Sequence, residues 1–312
     1  MKIGIACICL AGLSGANAAT VGSCAIFPDT NVWNTAIDTI PVSSQSGAYV
    51  AAIGAGKPLH PDFGTHGSGI PFVIVPGSQT KVRVDFDYAD ESDNTLYPVP
   101  SDAPVEGGAS SSGDRHVLMV DADSCILYEL YSAYPNGDGT WKAGSGAIFD
   151  LQDNALRPAR WTSADAAGLP VLPGLVRYDE VAAGEIRHAL RFTAPRTQRA
   201  YVWPARHFAS QLTDLQYPPM GQRFRLKADF DISGFPAEAQ VVLVALKKYG
   251  MMLADNGSAW FVSGAPDDRW NDDTLHSLTL VKGSDFEAVE ESALQLIPNG
   301  ARVAESSRER LF

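Results

Sequence analysis

Residues 176–207 read V-R-Y-D-E-V-A-A-G-E-I-R-H-A-L-R-F-T-A-P-R-T-Q-R-A-Y-V-W-P-A-R-H. They gather six arginines (Arg177, Arg187, Arg191, Arg196, Arg199 and Arg206) in a chain whose formal net charge is -12. A β-strand shows alternate residues to opposite faces, so the stretch is read at period two. From Glu185, one face carries Glu185, Arg187, Ala189, Arg191 and Thr193, and the other Ile186, His188, Leu190 and Phe192. The second face is apolar apart from His188 and belongs in a core. The first is charged, and it either lines a groove or lies on the open side of an antiparallel sheet. Residues 200–207 split the same way, with Tyr201, Trp203, Ala205 and His207 against Val202, Pro204 and Arg206. Aromatic rings beside a polar group suit a sugar, because the ring offers an apolar platform and its neighbours hold hydroxyls.

Strand patterns dominate on both sides of this stretch. Residues 69–76 read as a short buried strand, and residues 81–88 alternate, with Val82, Val84 and Phe86 inward. Residues 116–120 and 125–131 predict a hairpin through Asp121-Ala122-Asp123-Ser124. Asn136-Gly137-Asp138-Gly139 marks a turn before a strand over 141–150. Residues 222–230 alternate again, and 249–264 predict a hairpin turned on Asn256-Gly257. Helical signals are fewer: 44–54, 163–167, 179–183, 236–249 and 270–280. The apolar stripe Val242, Ala245, Leu246 and Tyr249 makes 236–249 the best defined. The loop over 89–113 is long, and the tail after Pro298 is polar. No internal repeat or linker divides residues 20–312. The expected fold is mainly β, a single antiparallel β-sandwich or jelly-roll-like domain with a few short helices.

The first 19 residues have a basic Lys2, an apolar run and the A-x-A-like Ala16-Asn17-Ala18, the pattern of a cleaved secretory signal. Secretion to an extracellular or periplasmic space is therefore expected. Of four cysteines, Cys7 and Cys9 lie in that segment, leaving Cys24 and Cys125 as a disulfide pair in an oxidising compartment. Closing so long a loop contributes roughly 4 kcal/mol in the chain-entropy model. The acidic balance argues against nucleic acid or an anionic membrane as partner. Asp85, Asp87, Asp90, Glu91 and Asp93 cluster without EF-hand spacing and read as a solvated acidic loop, so no metal site and no cofactor is expected. The protein is expected to act as a monomer.

Familiar catalytic signatures are missing: the sequence has no G-x-S-x-G, H-E-x-x-H or P-loop. Lone histidines such as His60 and His116 read as structural. Asp255 precedes the Asn256-Gly257 turn, where it either caps the turn or projects into a cleft. The segments G-L-V-R-Y-D-E-V-A-A-G-E-I-R-H-A-L-R-F-T, Y-V-W-P-A-R-H and K-K-Y-G-M-M-L-A-D-N-G-S resemble a group of secreted microbial proteins. That resemblance implies an extracellular role and carries over no catalytic residue.

Two functions remain. The first is a secreted enzyme that cleaves glycosidic bonds in an extracellular polysaccharide, as a glycoside hydrolase or a polysaccharide lyase. Hydrolysis needs two carboxyl groups across a cleft, for which Glu185 and Asp255 are the candidates. β-Elimination would use Tyr201, His188 or His207 as base, with arginines neutralising a uronate. Arg187, Arg191, Trp203, Arg206 and His207 are the candidate substrate-binding residues. The second is a non-catalytic glycan-binding or cell-surface protein using the same strip.

Overall fold

A computed structural model describes residues 18–303. The secretory-signal pattern lies almost wholly outside the described residues. Strand exceeds helix, and the strands fall into one six-stranded, two four-stranded and one two-stranded sheet. The architecture is mainly β with short helices.

The six-stranded sheet is mixed. Its order is Phe286–Ala288, Arg223–Leu226, Met251–Asn256, Leu190–Ala194, Phe261–Ser263 and His60–Asp62. Leu190–Ala194 runs parallel to Met251–Asn256 and antiparallel to Phe261–Ser263. The hairpin expected over 249–264 is therefore opened. Its two arms do not pair with each other, because Leu190–Ala194 inserts between them. Phe192 sits at the centre of the aromatic packing, with its ring 5.6 Å from that of Trp260 and 5.5 Å from that of Phe224. Trp260 also stacks on Phe286, with ring centroids 5.3 Å apart, and meets Phe224 edge-on at 5.5 Å.

The strand expected over 185–193 starts only at Leu190. The helix Tyr178–Ala183 ends on Gly184 in the left-handed region (φ 86°), and the chain then crosses to the sheet without regular structure. Residues 200–207 form no strand either. They make a tight turn around a cis Trp203–Pro204 bond, anchored by the bridge Tyr201–Met220.

The hairpin Val117–Asp121 and Ile126–Tyr131 forms as the alternation predicts, flanked by Ser145–Asp150 and, on the other edge, by Phe72–Val75. Phe72–Val75 is an edge strand with Ile74 exposed, where a buried strand was expected. The apolar pattern of Val117–Asp121 serves two cores. Leu118 and Val120 join the main core, whereas Val117 and Met119 face a smaller one with Val84, Tyr97 and Trp141. The strand expected over 141–150 divides at Gly144: Trp141–Ala143 pairs with Val82–Phe86, and Ser145–Asp150 pairs with Ile126–Tyr131. A Cβ on Gly144 would lie 2.7 Å from the Tyr131 ring, so the crossing needs glycine.

Cys24 and Cys125 are disulfide-bonded, with Cα atoms 5.5 Å apart. The helices Ser46–Ile53, Ala237–Lys248 and Asp272–His276 fall where the sequence places them. Residues 163–167 do not form a helix: they make a bend. Up to Val303 the C-terminal segment is tied down rather than loose, by bridges Ala155–Gly300 and Asn31–Arg302 and by buried Ala301. Among the described residues no helix is long and apolar enough to cross a membrane.

Candidate active site

The site begins with a change of register. Arg191 pairs with Met252 and Phe192 with Leu253, but Thr193 pairs with Asp255, so Ala254 is the extra residue of a bulge. Paired residues point to the same side of a sheet, and a one-residue shift reverses the side. The bulge thus puts Asp255 on the face that carries Arg191 and Thr193, instead of the opposite one.

Arg191 is buried at the bottom of this face. Its Nε donates to Asp165 Oδ2 at 2.7 Å, its Nη2 donates to Asp165 Oδ1, and its Nη1 donates to Ser263 Oγ. The Asp165 side chain has no exposure. Burial works against the guanidinium charge, but Asp165 more than offsets it and holds the group more basic than usual. Asp255 Oδ2 lies 4.0 Å from Arg191 Nη2, and the Asn256 N–H donates to Asp255 Oδ1 at 2.6 Å. Burial pushes the Asp255 carboxyl up to about 7, and the negative Asp165 adds to the rise. Arg191 and the Asn256 N–H pull it back only in part. The side chain keeps 22% of its exposure, and it lines the cleft.

That cleft has two compartments. One of about 420 Å³ is lined by Tyr88, Glu91, Asp114, Tyr131, His207 and Asp255, among others. The other, about 220 Å³, is lined by Asp62, Asp114, Arg191, Thr193, Asp255 and Phe261, among others. Asp114, Asp255 and Asn256 line both. The larger volume falls in the roughly 300–1,000 Å³ range of small-ligand sites.

A second buried pair props the floor. His116 Nδ1 is 2.6 Å from Glu106 Oε2, and Nε2 is 3.1 Å from the Ala164 carbonyl, next to Asp165. Burial pulls the imidazole down, but the Glu106 carboxylate outweighs it and raises His116 to about 9. Protonated, the ring donates at both nitrogens and pins the bend that presents Asp165. Nearby, Glu129 accepts the N–H groups of Val171 and Leu172 at 2.9 Å. Burial raises it to about 7 despite those bonds.

Of the residues picked out by sequence, the cleft brings together Asp255, Arg191 and His207. His207 Nδ1 donates to the Ala166 carbonyl at 2.8 Å, with Nε2 3.7 Å from Glu91. Glu185 does not line it: its side chain is 42% exposed and bonds Arg187 Nε at 2.8 Å, with Lys248 Nζ at 3.6 Å. His188 is fully buried, but beside charge rather than only among apolar side chains. Its Nε2 is 3.2 Å from Glu180, which also pairs with Arg177 at 2.8 Å. Arg206 is spent on the carbonyls of Arg157 and Pro298 and on Asn299 Oδ1. Tyr201 packs on Phe208, and the Trp203 indole donates to the Gly300 carbonyl at 2.9 Å. The arginine-rich stretch is therefore no continuous basic strip.

Asp165, Asp114, Tyr131 and the Glu106–His116 pair were not selected from sequence as site residues. The clearest available signal was Glu129, a lone acid inside the apolar strand I-L-Y-E-L-Y. In the acidic loop, Asp93 pairs with Arg157 at 2.5 Å and Asp87 with Lys142 at 3.0 Å. Among the described residues no three His, Cys, Asp or Glu side chains converge as a metal site. No family model, curated protein or solved structure matches the chain, so the site's chemistry carries the functional reading.

Proposed function

We propose that this is a secreted glycoside hydrolase acting on an extracellular polysaccharide, with Asp255 as the general acid. The carrying observation is a carboxyl held at about 7 on the wall of an open, aromatic-lined cleft. Glycosidic cleavage needs an acid still protonated near neutral pH to protonate the leaving oxygen, and burial is the usual way to provide one. The partner carboxylate is Asp114, which is exposed and lines both compartments with Asp255. Tyr88 and Tyr131 offer ring surfaces for sugar, and His207 and Asn256 offer polar contacts. The disulfide is compatible with export into an oxidising space.

Hydrolysis is favoured over β-elimination by the state of Arg191. A lyase needs a cation free to neutralise a uronate, and Arg191 is committed to Asp165 and Ser263. Burial also raises the Tyr131 phenol, which keeps it protonated at neutral pH and short of the phenolate that an elimination base must supply. The test is incubation with a panel of neutral and acidic polysaccharides, reading new reducing ends and unsaturated ends separately. Reducing ends without unsaturation are expected. Unsaturated products would replace hydrolysis by elimination. Binding without any cleavage would favour a non-catalytic glycan-binding protein.

A further inference from the structure

The register that turns Asp255 toward Arg191 also builds a row across the sheet. Thr193 pairs with Asp255 on one side and with Phe261 on the other, and Phe261 pairs with His60 on the edge strand. Paired residues share a face, so Asp255, Thr193, Phe261 and His60 stand side by side on the cleft's side of the sheet. The His60 and Phe261 rings stack, with centroids 4.0 Å apart and planes 27° from parallel. His60 therefore covers one face of the Phe261 ring, and the other face looks back over Thr193 toward Asp255.

Two strand spacings separate Asp255 from Phe261, roughly 10 Å at the backbone. Thr193 floors this gap with a short side chain whose hydroxyl is spent on the Ser258 carbonyl at 2.9 Å. The gap belongs to the smaller compartment, of about 220 Å³. A ring face beside acceptors suits a pyranose, whose C–H face lies on the ring while its hydroxyls donate to the polar rim. The acceptors here are the carboxyl groups of Asp62, Asp114 and Asp255. Charge decides which pyranose. The compartment's two cationic lining groups among the described residues are both committed: Arg191 to Asp165 and Ser263, His116 to Glu106 and the Ala164 carbonyl. A sugar carboxylate would meet the charges of Asp62 and Asp114 and no free cation.

Resting on the hydrolytic reading of the cleft, we propose that this compartment is a subsite for one uncharged pyranose unit of a polysaccharide, stacked on Phe261 with its linkage oxygen turned to Asp255.

Calorimetry with cellohexaose, mannohexaose, xylohexaose and hexagalacturonate tests it, on Asp255→Asn so that nothing is cleaved during the titration. At least one neutral hexaose should bind about tenfold or more tightly than hexagalacturonate. Adding Phe261→Leu should weaken that hexaose by about threefold to tenfold, the worth of a lost aromatic face. Phe261→Tyr keeps the ring and should stay within about twofold. Thr193→Leu also keeps the ring but fills the gap. It should weaken binding by about tenfold, and it remains informative should Phe261→Leu fold poorly. Binding that ignores both leucine substitutions, equal affinity for hexagalacturonate, or no binding at millimolar hexaose overturns the subsite. Release of reducing ends is read in parallel with Asp255 intact. Phe261-dependent binding without cleavage would sink the hydrolytic reading and keep the subsite. Cleavage at the native rate by Phe261→Leu would keep hydrolysis and sink the subsite.

Discussion

Arg191–Asp165 and Arg223–Glu291 are both buried pairs of arginine with a carboxylate, and they end differently. Asp165 takes a two-pronged bond from Arg191, which leaves a third donor for Ser263 and its positive field for Asp255. Arg223 gives its donors to three backbone carbonyls, and Glu291 keeps only a 3.5 Å contact and one unpaired oxygen. The arginine's other partners decide how fully its carboxylate is paired. A carboxylate saturated by its arginine stays ionised as scaffolding; one left short of donors holds on to its proton, as Glu291 does.

Breaking the saturated pair should have the largest effect. Arg191→Met leaves Asp165 buried without its cation and Asp255 without the guanidinium 4.0 Å away, and should cost about 3–5 kcal/mol in urea unfolding. Adding Asp165→Leu should recover much of that, because a buried pair replaced by apolar groups is often neutral. A single variant as stable as the native protein would remove the contrast between the two pairs.

The unsaturated pair predicts a pH dependence. Burial raises Glu291 from 4.5 to about 7, so the folded state holds this proton more tightly than the unfolded chain. Its contribution is fully present below the unfolded value and is lost as pH rises through about 7, by an order of 2–4 kcal/mol. Glu129 and Asp255 are raised in the same direction. Glu291→Gln should therefore flatten, without abolishing, the decline in stability between roughly pH 4 and pH 8, two values that bracket that window. An unchanged slope would contradict the burial cause.

A smaller effect is expected at the prop. His116 is raised to about 9, so its stabilisation is complete below its ordinary value of 6.5 and is lost as pH climbs through 9. Glu106→Gln should lower stability at pH 7 by about 1–3 kcal/mol and flatten that alkaline decline. The smallest effect belongs to Glu185→Gln. Its pair is exposed, so stability should shift by less than about 0.5 kcal/mol, and hydrolysis should be untouched.

The strands around the site were legible in sequence, and the site itself only in part. Period two placed Arg191 and Thr193 together on one face, and the apolar stripe found the helix ending at Lys248. The partner of that face was hidden, because the extra Ala254 that turns Asp255 toward Arg191 has no signal in residue type. Met251–Asn256 and Phe261–Ser263 look like a hairpin because Asn256-Gly257 is a good turn. The strand that separates them comes from far earlier in the chain, and local pattern does not carry such a pairing. Glu185 and Arg187 lost their strand to Gly184, whose left-handed turn starts an irregular crossing. Arginine density misled for a related reason: Arg177, Arg191 and Arg206 answer internal acceptors, and a sequence does not reveal those.

If Asp255 donates the proton to the leaving oxygen, Asp255→Asn removes that donor while keeping the side chain's shape. Release of reducing ends from the best polysaccharide substrate should fall by about 10²–10⁴-fold, the usual worth of a general acid. Thermal stability near neutral pH should stay level or rise, since the amide removes a buried acid that resists ionising. Native activity should decline as pH rises through about 7, where the acid loses its proton. A variant that folds and cleaves at the native rate would contradict the assignment.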